Sequence, residues 1–216
     1  VGIALLLGVA LGNVIRGVPL DAEGNIVISL FSLLNPFALL IGVITVFMLA
    51  THGALFISLK TEAGLQKRAS SMVLKLFIVF DVLLIIGVVV TLLLHDTIRS
   101  SYLAKPWLVI FPALGLVAVI TEWIMFKREQ VFRAFIASAV VIFSLIMSVA
   151  GGLYPNLLIS TIDPRFNLTV TNAASEANTL MVMFVIFLIG LPFILLFSIG
   201  INYFFRGKVK LESGGY

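Results

Sequence analysis

The sequence has 216 residues, of which 61% are hydrophobic and only 11% carry a charged side chain. Its mean hydropathy of +1.21 lies far outside the range of soluble domains and indicates an integral membrane protein. The absence of cysteine excludes disulfides, cysteine-ligated zinc, iron–sulfur clusters and thiol nucleophiles within the chain. The net charge of +4 comes from scattered basic residues, so it does not indicate a nucleic-acid-binding face.

Apolar runs recur along the chain at the length of a membrane crossing. A spanning helix needs roughly 20 mostly apolar residues. Lipid offers no hydrogen bonds to the backbone, so each crossing is predicted to be helical. We therefore predict an all-α fold, a polytopic transmembrane helix bundle that forms one integral membrane domain over residues 1–216. The six predicted spans are approximately 1–15, 36–59, 72–95, 107–126, 133–153 and 179–205.

The charges of the connecting segments predict the topology. Segments 60–71, 127–133 and 206–216 hold nine basic residues, whereas the segments that alternate with them hold four. By the positive-inside rule the first set is cytoplasmic, which places the carboxy terminus in the cytoplasm. The longest polar interval, 153–180, is then on the outer side, and we expect it to fold back and cap the bundle.

Three ionisable side chains lie inside predicted spans, where such groups are costly and are functional candidates: His52, Asp81 and Glu122. The residues three and four positions from Asp81 are all apolar, so its partner must come from another helix. His52 lies about 10 Å from the same predicted cytoplasmic edge at 1.5 Å per residue. We predict a contact between His52 and Asp81, either as a structural interhelical hydrogen bond or as part of a proton path.

Glu122 is the third candidate for a proton path. It is about one turn from Lys127 and Arg128, so we expect it to be solvated or salt-bridged near the membrane boundary. His95, beside Asp96, is expected at a solvated helix end. We predict no catalytic residue and no metal site, because the P-loop, dinucleotide and nucleophile-elbow motifs are absent. Two isolated histidines form neither a haem-ligand pair nor a metal triad. That one of them is a single axial haem ligand stays an open alternative.

Four stretches, in order along nearly the whole chain, carry a resemblance to a known family. They are GVALGNVIRGVPLD (8–21), LLNPFALLIGV (33–43), THGALFISLKTEAGLQKRA (51–69) and LYPNLLISTIDPRFNLTVTNAASEANTL (153–180). With them the chain resembles subunit II of cytochrome bd-type quinol oxidases. The resemblance implies a fold based on four-helix bundles, with about nine spans in two bundles and one peripheral helix. This chain looks like the last six, so we expect the amino-terminal third, with the family motif GNQVW, to be missing.

The resemblance also implies a function. The chain would be the non-haem subunit II of a respiratory terminal oxidase that couples quinol oxidation to the reduction of dioxygen to water. Haems b and d and the quinol-binding loop are expected in the partner, subunit I, which this chain would scaffold. The resemblance allows a bound quinone, a small accessory subunit, and a proton, oxygen or quinone path through this chain. The location would be the lipid of a bacterial or archaeal cytoplasmic membrane.

Two alternatives stay open at the level of sequence. A secondary transporter domain would use Asp81 and His52 to bind a coupling ion or proton near the bilayer midplane. Against it, the sequence shows no internal repeat and no Gly- or Pro-broken spans in matched positions. The other alternative is a purely structural membrane partner that moves neither protons nor ligands.

Overall fold

The computed structural model describes residues 1–204 and is predominantly helical. Its α-helices are α1 Gly2–Arg16, α2 Pro36–Lys60, α3 Ala63–Leu94, α4 Asp96–Ala104, α5 Ile110–Lys127, α6 Val131–Leu153 and α7 Ala177–Phe204. Within this part of the chain, α2, α3, α5, α6 and α7 are long and apolar enough to cross a membrane, and α1 is a shorter apolar helix. The predicted all-α transmembrane fold is confirmed. The basic residues predicted to mark a cytoplasmic carboxy terminus, Arg206, Lys208 and Lys210, lie outside the described residues.

The first two helices are joined at their ends by side-chain amides. Asn35 caps α2, because its Oδ1 accepts a hydrogen bond from the backbone N–H of Ala38 at 3.0 Å, and Pro36 occupies the first helical position. The Asn35 amide donates to Oδ1 of Asn13 in α1 at 2.9 Å. Asn13 in turn donates to the carbonyl of Leu33 at 2.8 Å. The turn between α1 and α2 is therefore held by a chain of hydrogen bonds.

The helix α3 is longer than the sequence predicted. Segment 60–71 was expected to be a connection, but only Thr61 and Glu62 separate α2 from α3. The 32 residues of α3 extend about 48 Å, beyond a hydrocarbon core of about 30 Å. The apolar run marks only the part in lipid, whereas Lys67 and Arg68 continue the helix into water because they are good helix formers. Segment 96–106 is likewise not a plain connection, since it contains α4.

Four of the long helices form a bundle. The helix α2 packs against α1, α3 and α6, and α5 packs against α6. Contacts between side chains of α3 and α5 close the fourth side. The α1–α2 contact is close because glycines face it. A Cβ atom on Gly12 would lie 2.6 Å from the Cα of Ala38, and one on Gly8 would lie 2.7 Å from the Cα of Gly42.

Segment 153–180, predicted to lie on the outer side, folds back onto the connection between α1 and α2. Strand β1, Asn156–Leu158, pairs with strand β2, Leu168–Thr169, in a small antiparallel ribbon. Next to it, the backbone N–H of Val18 donates to the carbonyl of Ile159 at 3.0 Å. The hydroxyl of Ser160 donates to the carbonyl of Leu20, also at 3.0 Å. The predicted fold-back is confirmed, with the connection after α1 as its main contact.

The last helix, α7, stands apart from the bundle. None of the residues in its most apolar window is buried among the described residues. Apart from the partly buried Gly190 and Leu191, residues 177–201 and 203–204 of this helix are exposed. Residues 1–204 therefore do not cover the apolar surface of this helix.

Candidate functional site

A partly buried polar contact joins α3 to α5. The indole Nε1 of Trp123 donates a hydrogen bond to the Oδ2 of Asp81 at 2.6 Å. Asp81 is partly buried and lies in the apolar part of α3. This confirms that its partner comes from another helix.

Glu122, next to Trp123, lies on the face of α5 that packs against α6. It shares this buried face with Gly115 and Ala118, at the i, i+3, i+7 spacing of one helix face. Glu122 is only 3% exposed, and its Oε1 has no hydrogen-bond partner among the described residues. The expectation of a solvated or salt-bridged Glu122 is therefore wrong. Its spacing on α5 turns the side chain inward, away from Lys127 and Arg128.

Aromatic rings enclose the Asp81–Trp123 contact on its predicted cytoplasmic side. The ring of Phe77, one turn before Asp81 in α3, lies 5.1 Å from the ring of Trp123 and 5.5 Å from that of Phe126. The ammonium of Lys127 lies 5.5 Å from the Trp123 ring, within range of a cation–π contact. The rings thus pack beside the hydrogen bond, and Lys127 is the last residue of α5.

His52 has a different partner from the one predicted. Its Nδ1 lies 2.7 Å from the Oγ of Ser138 in α6, and its ring stacks on Phe135 at 4.4 Å. Ser138 donates its own hydroxyl proton to the carbonyl of Phe135, so the neutral imidazole must carry its proton on Nδ1. The predicted His52–Asp81 contact is not formed. The rise per residue predicts the depth of each side chain, but α2 packs on both α3 and α6, and His52 lies on the α6 side.

The structure therefore divides the three candidate residues. It places Asp81 at the contact between α3 and α5 and His52 beside α6, whereas Glu122 lies on the buried face of α5 with Gly115 and Ala118. Sequence analysis missed both of these partners, Trp123 and Ser138. The one signal for Trp123 was a donor-only indole directly following an acidic residue inside a span.

An apolar cavity lies on the predicted outer side of Asp81. It has a volume of about 420 Å³ and is bounded by all the bundle helices together with α1 and α4. On α3 its lining begins with Leu84, one turn from Asp81, and continues through Gly87 to Thr91. The gap between α3 and α5 is thus closed by aromatic rings at one end and open as a cavity at the other.

The two histidines do not fit a shared haem or metal site. His95 packs its ring against Phe37 at 4.4 Å, at the start of α2. Phe37 and His52 are about 22 Å apart along α2 at 1.5 Å per residue, too far to bind two faces of one iron. His95 does lie at a helix end, between α3 and α4, but it is only partly solvated, because its Nε2 is buried and has no partner within residues 1–204. No group of three or more His, Asp or Glu in that range could hold a metal ion.

Comparison with known proteins gives a consistent result. A family model for cytochrome bd terminal oxidase subunit II matches residues 1–205. A probable cytochrome oxidase subunit 2 of Haemophilus influenzae is 33% identical over 211 residues, which cover 84% of this chain and 56% of that protein.

Two further relatives match nearly all of this chain. Cytochrome bd-I ubiquinol oxidase subunit 2 of Escherichia coli K12 is 29% identical over 97% of this chain and 63% of its own length. Cytochrome bd ubiquinol oxidase subunit 2 of Bacillus subtilis is 28% identical over 95% and 60%, respectively. The chain thus spans 56% to 63% of the length of these three relatives.

Proposed function

We propose, from the premise that this chain belongs to the cytochrome bd terminal oxidase subunit II family, that it acts as subunit II of a respiratory terminal oxidase. The complex would couple quinol oxidation to the reduction of dioxygen to water. The observation that carries this proposal is the family match over residues 1–205. Five helices fit for membrane crossing support it, since such a complex works within the bacterial cytoplasmic membrane.

The division of labour in this complex is also a proposal. Haems b and d would belong to a partner, subunit I, because His52 and His95 lie too far apart to share a haem. This chain would scaffold that partner as one integral membrane domain with a cytoplasmic carboxy terminus. The apolar cavity enclosed by the bundle helices is the feature that best supports an oxygen path or a bound quinone. A small accessory subunit would need an exposed surface outside the bundle to bind to, such as the surface of α7.

A proton path through this chain is the second part of the proposal. Its candidates are Asp81 between α3 and α5, Glu122 on the buried face of α5, and His52 between α2 and α6. All three lie in spans, where polar side chains commonly mark such paths. The transporter alternative required Asp81 and His52 in one site. Their separate hydrogen-bond partners, Trp123 and Ser138, give it no support.

We expect the full-length protein, purified in mild detergent with whatever copurifies, to show haem b and haem d bands in a reduced-minus-oxidised spectrum. The reason is that a subunit II of this family should bring its haem-bearing partner with it. A second membrane subunit should appear on the same gel in a fixed ratio. A stable single-chain preparation without these bands would overturn the oxidase proposal.

We expect Asp81→Asn and His52→Ala to slow quinol-dependent oxygen uptake and the accompanying proton uptake by about tenfold or more, because each removes a proton-transfer group. The assay uses the intact complex in liposomes. The matched control is Asp96→Asn, since the Asp96 side chain is 82% exposed and lies outside the spans. Unchanged rates of oxygen and proton uptake in both variants would contradict the proposed proton path and leave the oxidase assignment intact.

A further inference from the structure

The apolar cavity enclosed by the bundle helices is too large to be an ordinary packing defect. Its volume is about 420 Å³, whereas a dry cavity of about 150 Å³ already accepts benzene. Protein interiors hold few voids larger than a water molecule, and an empty space deprives its lining of packing contacts. No charged side chain within residues 1–204 lines this cavity. A guest that fills it is therefore apolar and larger than a gas molecule.

The hydroxyl groups on the cavity wall are already used within the protein. They belong to Thr45, Thr91, Tyr102 and Ser148, and each donates its proton to a backbone carbonyl at 2.7 to 2.9 Å. An ordered water molecule needs two to four polar partners, and a quinone carbonyl needs a hydrogen-bond donor. Among the described residues no wall hydroxyl keeps a free proton for either of them. The wall therefore suits a hydrocarbon chain.

The cavity also has the length of a lipid chain in one half of a bilayer. On α3 its lining runs from Leu84 to Leu92, about 12 Å at 1.5 Å per residue. Half of a hydrocarbon core is about 15 Å thick. Leu84 lies one turn from Asp81, in the middle of the apolar part of α3, and Leu92 lies close to the last residue of the helix, Leu94. The space thus extends from the predicted outer end of the span to near its midpoint.

The cavity opens sideways between α3 and the beginning of α5. Val88 and Leu92 of α3 and Val109, just before α5, line the cavity and are exposed. Deeper in, Ile44 of α2 and Ile98 of α4 also line it, but they are only 7% and 4% exposed. The medium around a membrane span is lipid hydrocarbon. The mouth is therefore in contact with lipid chains, and nothing polar bars their entry.

The residues beside the mouth suit the headgroup of a phospholipid. Lys105 lies in sequence between Tyr102 and Val109, which both line the cavity. Its ammonium donates to the carbonyl of Tyr154 at 3.3 Å, and because an ammonium has three donors it can also bind a phosphate. Trp107 is exposed, as is common for tryptophan at the level of lipid headgroups. A quinone has no anionic headgroup, so the cation favours a phospholipid as the source of the chain.

We propose that the cavity holds one acyl chain of a membrane phospholipid, which enters between α3 and α5 with its phosphate beside Lys105. The chain fills the space that the side chains of the bundle leave open and supplies the packing contacts missing there. The lipid is then a structural component of the bundle. The inference requires only that the chain spans a membrane, so it does not rest on the proposed oxidase function.

The test is native mass spectrometry of the purified full-length complex, in which retained phospholipids and quinones are counted separately. Thr91→Phe places a ring in the cavity, and we expect this variant to retain one phospholipid fewer per complex than the unsubstituted protein. The matched control is Thr121→Phe in α5. Thr121 makes the same kind of hydrogen bond within its helix, to the carbonyl of Val117, but is not among the residues that line the cavity. This variant should keep the lipid.

A second measurement uses the unsubstituted complex and decides the question even where Thr91→Phe fails to assemble. A phospholipid with a diazirine at the end of its acyl chain is exchanged into the complex, and the photolabelled residues are mapped. We expect label on Ile44, because this residue lines the cavity and is too buried for the surrounding lipid to reach.

Three outcomes would overturn the lipid site. The photolabel could be confined to exposed residues, such as those of α7. The Thr91→Phe complex could retain as many phospholipids as the unsubstituted complex, or it could lose a quinone in place of a phospholipid, which would identify a quinone tail as the guest. None of these outcomes depends on haem, so failure of the lipid site is distinguishable from failure of the oxidase proposal, which the haem spectrum tests.

Discussion

Replacing Gly12 with valine is expected to disrupt the packing of α1 on α2 and to lower the stability of the complex by about 3 kcal/mol. The Cβ atom of any larger residue would lie 2.6 Å from the Cα of Ala38. The obstacle is backbone, so no side-chain rotation relieves the clash and the helices must separate. Close helix contacts through small residues are a main source of association in membranes, so the loss should be large.

The measurement for Gly12→Val is the fraction of intact complex that remains after heating, followed by size-exclusion chromatography. The matched control is Gly53→Val in α2. A Cβ on Gly53 meets no atom within 4 Å, and the helix-propensity change is the same. Equal heat stability of the two variants would contradict the close α1–α2 contact.

Trp123→Phe is expected to destabilise the bundle by about 2 kcal/mol, because it leaves the Asp81 carboxylate without its donor inside the bundle. The ring contact with Phe77 is largely kept, so the effect reports mainly on the hydrogen bond. Trp107→Phe is the matched control, since Trp107 is 65% exposed and stands before α5. The stability of the Trp107→Phe variant should differ from that of the unsubstituted protein by no more than about 0.5 kcal/mol.

A double substitution separates the hydrogen bond from other effects of Trp123→Phe. Adding Asp81→Leu removes the orphaned carboxylate, and replacing both partners with apolar groups is often nearly neutral. The double variant should therefore recover most of the stability that Trp123→Phe loses. A double-mutant cycle built on heat stability measures this coupling, and a coupling energy near zero would show that the Asp81–Trp123 bond contributes nothing.

The spans could be predicted because they depend on one local quantity, the length of an apolar run. Each predicted span coincides with a helix, from α1 to the described part of α7. The beginning of α3 could not be predicted in the same way. The apolar run of α3 begins only after Gln66, Lys67 and Arg68, yet these residues already belong to the helix. The first residue of a helix is set by capping and turn residues rather than by polarity.

The site was predictable only in part. Burial cost alone identified His52, Asp81 and Glu122 as unusual. It could not identify their partners, because α3 and α5 are not consecutive, and the face that each helix turns to its neighbours depends on packing of the whole bundle. Glu122 shows the limit most clearly. Its distance from Lys127 along the chain indicated the boundary, whereas its position on the Gly115–Ala118 face placed it inside.

The separate position of α7 has a consequence for how the chain responds to its bilayer. The 28 residues of this helix extend about 42 Å, more than the thickness of a typical hydrocarbon core, and hydrophobic mismatch of this kind is relieved by tilting. In the bundle, tilt is set by neighbouring helices. The described residues leave α7 without that constraint, so its tilt should follow membrane thickness, increasing in thin bilayers and decreasing in thick ones.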